Sequence, residues 1–141
     1  MKDNVTLKEA SALAHSMYEV ANAIETELLD EKWRTASKLK NAANDSYFYM
    51  AQVFGAGKAQ ALEFDCISAR KNLNTLKAMY VFAAKQNMTE LDPALVVKIE
   101  KMISEIDAAQ ESSQTEVKRK AEEELKPWLE KYRIWQQISK N

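Results

Sequence analysis

Glycine and proline are almost missing from this chain: two of each stand among 141 residues, against usual shares of about 7% and 5%. So few breakers cannot supply the many tight turns of a β-sandwich or barrel, which leaves long helices joined by short connections. A single cysteine, Cys66, excludes an internal disulfide and suits a reducing compartment. A single histidine, His15, excludes the paired-histidine zinc sites and the twin Glu-x-x-His sets of di-iron bundles. No apolar run approaches the roughly 18 residues of a membrane span, and the opening MKDNVTLKEA lacks the apolar stretch of a secretion signal. A cytoplasmic protein without a membrane segment is expected. A net charge of −1 excludes a polycation as well.

What is present is helical periodicity. The stretch 33–57, WRTASKLKNAANDSYFYMAQVFGAG, reads as one long helix with small residues at its middle and glycines at its end. Its inner stripe is Ala36, Leu39, Ala43, Tyr47, Met50 and Phe54. A preceding helix over 6–29 places Leu13, Met17, Val20, Ile24 and Leu28 on one face. Thr6 and Glu9 are spaced as a capping box, with Asn4 as an alternative cap. Residues 58–86 carry a seam of Leu62, Cys66, Ala69, Leu73, Leu76, Tyr80 and Ala83. Asp92-Pro93 is a helix start, Asp as N-cap and Pro at the first helical position. The helix that follows shows Leu95, Ile99, Met102, Ile106 and Ala109. After a polar stretch at 110–114 the stripe resumes with Val117, Ala121, Leu125, Trp128, Tyr132 and Trp135. Pro127 is expected to kink or break that last element. The reading is an all-α, up-down-up-down four-helix bundle over 1–112 with a C-terminal helical extension over 113–141.

No residue set declares a reaction. His15 has no companion ligands, Cys66 sits on a seam as a small hydrophobe with no base nominated beside it, and Gly55-Ala-Gly57-Lys58 lacks the spacing of a phosphate loop. No catalytic residue, metal site or cofactor is expected.

Charge is more informative. Residues 32–88 hold nine basic and three acidic side chains, whereas 1–31 hold two and seven. Lys32, Arg34, Lys38, Lys40, Arg70, Lys71 and Lys77 form the candidate nucleic-acid-binding set. The competing reading is a solvated face paired with the acidic outer face of the first helix. Trp128, Tyr132 and Trp135, at i, i+4 and i+7, are either core residues of the chain's own bundle or anchors for a partner. Apolar groups run all round residues 79–84. With Phe48, Phe64 and Ile67 they exceed what one four-helix core covers. Phe48, Phe64, Ile67, Met79, Val81 and Phe82 are therefore candidates for a homo-oligomer interface.

Ala14-His-Ser-Met-Tyr18, Leu39-Lys-Asn-Ala-Ala43, Met50-Ala51-Gln52 and Ala69-Arg70-Lys-Asn-Leu73 with Leu76 carry a resemblance. The chain resembles the four-helix-bundle proteins encoded in intervening sequences of bacterial 23S ribosomal RNA, a group that includes the accessory variability determinant (Avd) of diversity-generating retroelements. The similarity covers roughly residues 7–110. It implies a bundle assembled as a homopentameric ring and, for the retroelement members, binding of a reverse transcriptase and its RNA or DNA through basic surfaces. The family's Asn-Ile-Ala-Glu-Gly signature reads here Tyr49-Met50-Ala51-Gln52-Val53, its Gly-Ser pair on the third helix reads Lys71-Asn72, and the tail beyond about 112 is longer. The expected function is a non-enzymatic oligomeric accessory protein that binds nucleic acid or a nucleic-acid enzyme. The alternative is a homo-oligomeric scaffold that docks a protein through the C-terminal aromatic helix.

Overall fold

The computed structural model of the chain describes residues 2–25, 30–55 and 63–140. Among them are four helices and no strand: α1 (Lys2–Glu25), α2 (Asp30–Phe54), α3 (Glu63–Lys85) and α4 (Pro93–Lys140). Each helix packs on the next in an up-down-up-down bundle, and α4 closes back on α1 more sparsely. The core is a single cluster fed by all four helices. Leu13, Met17 and Ile24 meet Leu39, Ala43 and Met50, the seam of α3 from Cys66 to Ala83, and Leu95, Ile99, Met102 and Ile106. Each fully buried Leu, Ile or Met contributes about 1.5–3 kcal/mol of transfer free energy, which makes this stripe pattern the main determinant of the fold.

The α3–α4 turn is closed by backbone and side chain together. Asn87 adopts a left-handed φ of 57°. The Met88 N–H donates to the Ala83 carbonyl at 2.9 Å and the Asn87 N–H to the Ala84 carbonyl at 3.0 Å. This pair of bonds is a Schellman cap, with Asn where glycine is usual. Five residues on, Asp92 caps α4: its Oδ1 accepts the Ala94 N–H at 2.9 Å, one residue past Pro93. Tyr80, buried in the core, ties the two ends together. Its hydroxyl accepts the Asp92 N–H at 2.7 Å and donates to the Glu90 carbonyl at 3.3 Å.

Several details depart from the expected pattern. Helix α1 begins by Lys2, so Thr6 lies inside it and caps nothing. Glu9 instead turns outward to Lys101 on α4, 2.9 Å away. On α2 the inner position expected for Tyr47 belongs to Ser46, which is buried because its hydroxyl donates back to the Ala42 carbonyl at 2.6 Å. Tyr47 is 38% exposed. Gly55 ends α2 by its lack of bulk rather than by a left-handed turn, since a Cβ there would meet the Ala51 carbonyl oxygen at 2.3 Å. The positions read for Leu28, Gly57, Lys58 and Leu62 lie outside the described residues.

Pro127 does not break α4. The helix runs unbroken from Pro93 to Lys140, 48 residues, on the order of 72 Å at about 1.5 Å per residue. Proline removes one N–H, and the carbonyl left over at Glu123 is on an exposed stretch where water can satisfy it. The extension is therefore the second half of α4 rather than a separate element. Burial fades after Ser113, and from Val117 onward every described side chain is exposed.

Candidate protein-docking and nucleic-acid interfaces

Six of the seven candidate basic residues divide into two groups. Three are held by carboxylates of neighbouring helices. Lys40 Nζ pairs with Glu25 of α1. Arg70 Nε sits 2.7 Å from Asp107 Oδ1, with its guanidinium also on Gln110, and Lys77 Nζ lies 2.8 Å from Glu100. Only the first of these pairs reaches α1. The carboxylates that pair with Arg70 and Lys77 of α3 stand on the exposed flank of α4. Such half-exposed pairs contribute about 0–1 kcal/mol each to stability, but they cancel positive charge that a phosphate would need. Arg34, Lys38 and Lys71 are exposed and carry no ion pair among the described residues. Lys32 is half-buried near the start of α2. Arg34 and Lys38 line a shallow hollow of about 370 Å³ between α2 and the end of α3, with Met79, Phe82 and Gln86.

The aromatic residues of the tail are not part of the chain's core. Trp128, Tyr132 and Trp135 are 69%, 56% and 62% exposed. They stand on the free half of α4 together with Leu125, Leu129 and Ile138, also exposed. Sequence periodicity found the stripe but missed Leu129 and Ile138, which lie one step off it and widen the apolar face. Local contacts order the surface: Tyr132 and Trp135 stack with ring centroids 6.2 Å apart, and Lys131 Nζ sits 5.3 Å over the Trp128 ring. At the root of this arm Arg119 bridges Glu116 at 2.7 Å and Glu123 at 2.6 Å. The hydrogen bond from Arg119, ahead of its charge, holds the Glu116 carboxyl below the usual range. These i,i+3 and i,i+4 pairs support helix where packing no longer does.

The six candidate oligomer residues also separate. Phe48, Phe64, Ile67 and Phe82 are exposed, whereas Val81 is half-buried and Met79 packs against the core of its own chain. Phe64 and Ile67 point away from the Cys66–Ala83 seam, each about 150° from its centre at about 100° per residue, with Phe82 further along the same outer face of α3. Phe64 meets Tyr49 of α2 edge-on at 6.2 Å, and Tyr49 meets Phe48 at 5.2 Å.

The remaining chemistry-bearing residues are quiet. His15 is exposed and 3.0 Å from Glu19 one turn away. Cys66 is fully buried, and burial, with the neighbouring Asp65 carboxylate second, pushes its thiol pKa up. Among the described residues no three His, Cys, Asp or Glu side chains come together as a metal site, and no helix is long and apolar enough to cross a membrane. No protein-family model, curated protein or solved structure matches the chain.

Proposed function

We propose that this chain is a non-enzymatic assembly protein whose bundle presents the free half of α4 as a docking arm. The observation that carries the proposal is the stripe of Trp128, Tyr132 and Trp135 on a helix that has left its own core. A helix with exposed aromatics at i, i+4 and i+7 is the form in which helical segments enter apolar surfaces. Trp and Tyr are also the residues that most often dominate such contacts. Truncation after Gln114 tests it. The bundle should keep its melting temperature within about 2 °C, since exposed residues away from core features contribute within about 0.5 kcal/mol. A fall matching a buried Trp, about 3–5 kcal/mol, would show the arm to be core and end the reading.

A second reading has its own observation: Arg34, Lys38 and Lys71 are exposed and unpaired among the described residues. On that reading the protein is an oligomeric accessory factor for RNA or DNA, or for a reverse transcriptase, as the resemblance to the retroelement proteins implies. A ring, pentameric or otherwise, would repeat these cations and make weak contacts multivalent. Binding would then fall by about 0.9 log units per phosphate contact for each tenfold rise in salt. Gel shifts that showed no affinity at about 50 mM salt would exclude it.

A further inference from the structure

The arm has a defined length, a defined seam and a charge pattern, and together they identify what covers it. Written as heptads, Leu125 and Tyr132 occupy a positions, Ala121, Trp128 and Trp135 occupy d positions, and Glu124 and Lys131 flank the seam at g. Pro127 falls at c, away from the seam, so its missing N–H disturbs no contact there. We propose that the arm pairs with the arm of a second copy of this chain as an antiparallel two-helix coiled coil, an inference that rests on the docking-arm reading above.

Three observations select that partner. The first is fit. Antiparallel helices match a positions with d positions, and the register that sets Leu125 beside Trp128 of the second copy also sets Ala121 beside its Tyr132. In that register residue 114 lies level with residue 139, so each arm ends where the other bundle begins. The overlap covers residues 114–139, about 39 Å. Ala121 leaves room for Tyr132, Leu125 packs beside Trp128, and at the outer layer Lys118 of one copy, also at an a position, falls beside Trp135 of the other. A parallel pairing would stack Trp128 on Trp128, Tyr132 on Tyr132 and Trp135 on Trp135.

The second is charge. Glu124 and Lys131 of the two copies share a flank, about 3 Å apart along the axis, and twofold symmetry makes this pair twice. The parallel arrangement would instead set Glu124 against Leu129 and Lys131 against Gln136, with no ion pair. Lys131 already lies along the seam edge, its ammonium over Trp128.

The third is area. Leu125, Trp128, Leu129, Tyr132, Trp135 and Ile138 are each more than half exposed. Together they offer roughly 700 Å², close to the roughly 800 Å² per partner of a stable interface.

Light scattering on the full chain and on three charge variants tests the pairing. The wild-type chain should give about 32 kDa, twice its 16.1 kDa, or a larger even multiple. Glu124→Lys and Lys131→Glu should each raise the dissociation constant about tenfold or more by placing like charges together. The double variant E124K/K131E should restore it. Within one arm the two residues are a heptad apart, about 10 Å, so the rescue can only act between copies. A chain that stays at 16.1 kDa at micromolar concentration overturns self-pairing and leaves a different protein as the occupant of the arm. Single variants that assemble like the wild type, or a double variant that stays dissociated, overturn this register. A bundle destabilised by truncation after Gln114 removes the docking arm itself and this pairing with it.

Discussion

Removing one hydroxyl from the core should loosen the joint that aims α4. Tyr80 is fully enclosed, yet its hydroxyl reaches the surface turn, accepting from Asp92 N–H at 2.7 Å and donating to the Glu90 carbonyl at 3.3 Å. Tyr80→Phe keeps the ring and its packing and deletes only these two bonds. A typical intramolecular hydrogen bond contributes about 0.5–1.5 kcal/mol net. The longer bond to Glu90 belongs at the low end, and both partners are exposed residues that water can reach once the hydroxyl is gone. The expected loss is therefore about 1–2 kcal/mol, or about 3–7 °C in melting temperature for a chain of this size. Tyr80→Ala also empties the ring's volume and should cost about 3–5 kcal/mol or more. Urea unfolding measures both, and the slope against denaturant should stay constant if the native state remains compact. A second readout is local: amide exchange at Asp92 should accelerate in Tyr80→Phe by more than exchange at Leu73, deep in α3. A Tyr80→Phe variant as stable as wild type, with unchanged exchange at Asp92, would refute the view that this hydroxyl fixes the start of α4.

Other substitutions probe the remaining joints and surfaces. Asn87→Gly should stabilise by about 0.5–1 kcal/mol, because glycine takes a left-handed φ without cost, while Asn87→Val should destabilise by about 1–2 kcal/mol; thermal melts read both. Cys66, buried and with its thiol pKa raised by that burial, should react with a thiol reagent at pH 8 at least about a hundredfold more slowly than in urea-unfolded chain. Labelling of the folded protein as fast as that of the urea-unfolded chain would contradict its burial. Ser46→Ala should be close to neutral, within about 1 kcal/mol, since the hydroxyl bonds only to a carbonyl of its own helix; a larger loss in urea titration would mean the hydroxyl has a role beyond α2. Charge reversal of Arg34, Lys38 and Lys71 to Glu should remove whatever salt-dependent affinity for RNA the chain has and leave its melting temperature unchanged; binding that survives the three reversals would move the site elsewhere.

Much of this fold was legible because helix periodicity reports burial directly. Every described residue of the seam read on the third helix, from Cys66 to Ala83, is buried. Asp92-Pro93 marked the start of α4 because an N-cap side chain and a ring-fixed φ are chemically specific signals. The misreadings have equally local causes. A step of four from Ala43 reaches Tyr47 and a step of three reaches Ser46; both fit helical spacing, and the core takes Ser46, whose hydroxyl is satisfied on its own helix. Thr6 resembled a cap because its spacing to Glu9 is that of a capping box, but a helix that begins by Lys2 leaves no free N–H at that point for it to bind. The pairing of Arg70 and Lys77 with α4 instead of α1 could not be read at all. Net charge per segment says that cations need partners, but only the topology says which acidic helix lies beside them.

The arm shows where sequence pattern alone gives out, and why. Along α4 the bundle-facing residues recur at alternating steps of three and four, from Leu95 to Ala109. From Ala109 to Leu125 the steps are four each time, through Ser113, Val117 and Ala121. At about 100° per residue each step of four advances the stripe by roughly 40°. The heptad spacing resumes only at Trp128, and by then the apolar face looks some 70° away from the face that met the bundle. A stripe that drifts this way can be seen in the sequence, yet nothing local states whether the helix bends to follow it or stays straight and leaves it uncovered. Here the second half of α4 is exposed along its length, so among the described residues no other helix covers the rotated face. The polar stretch at 110–114 is therefore not a linker between two domains. It is the length of helix over which one apolar face is handed over to another, the first closed within the chain and the second left exposed.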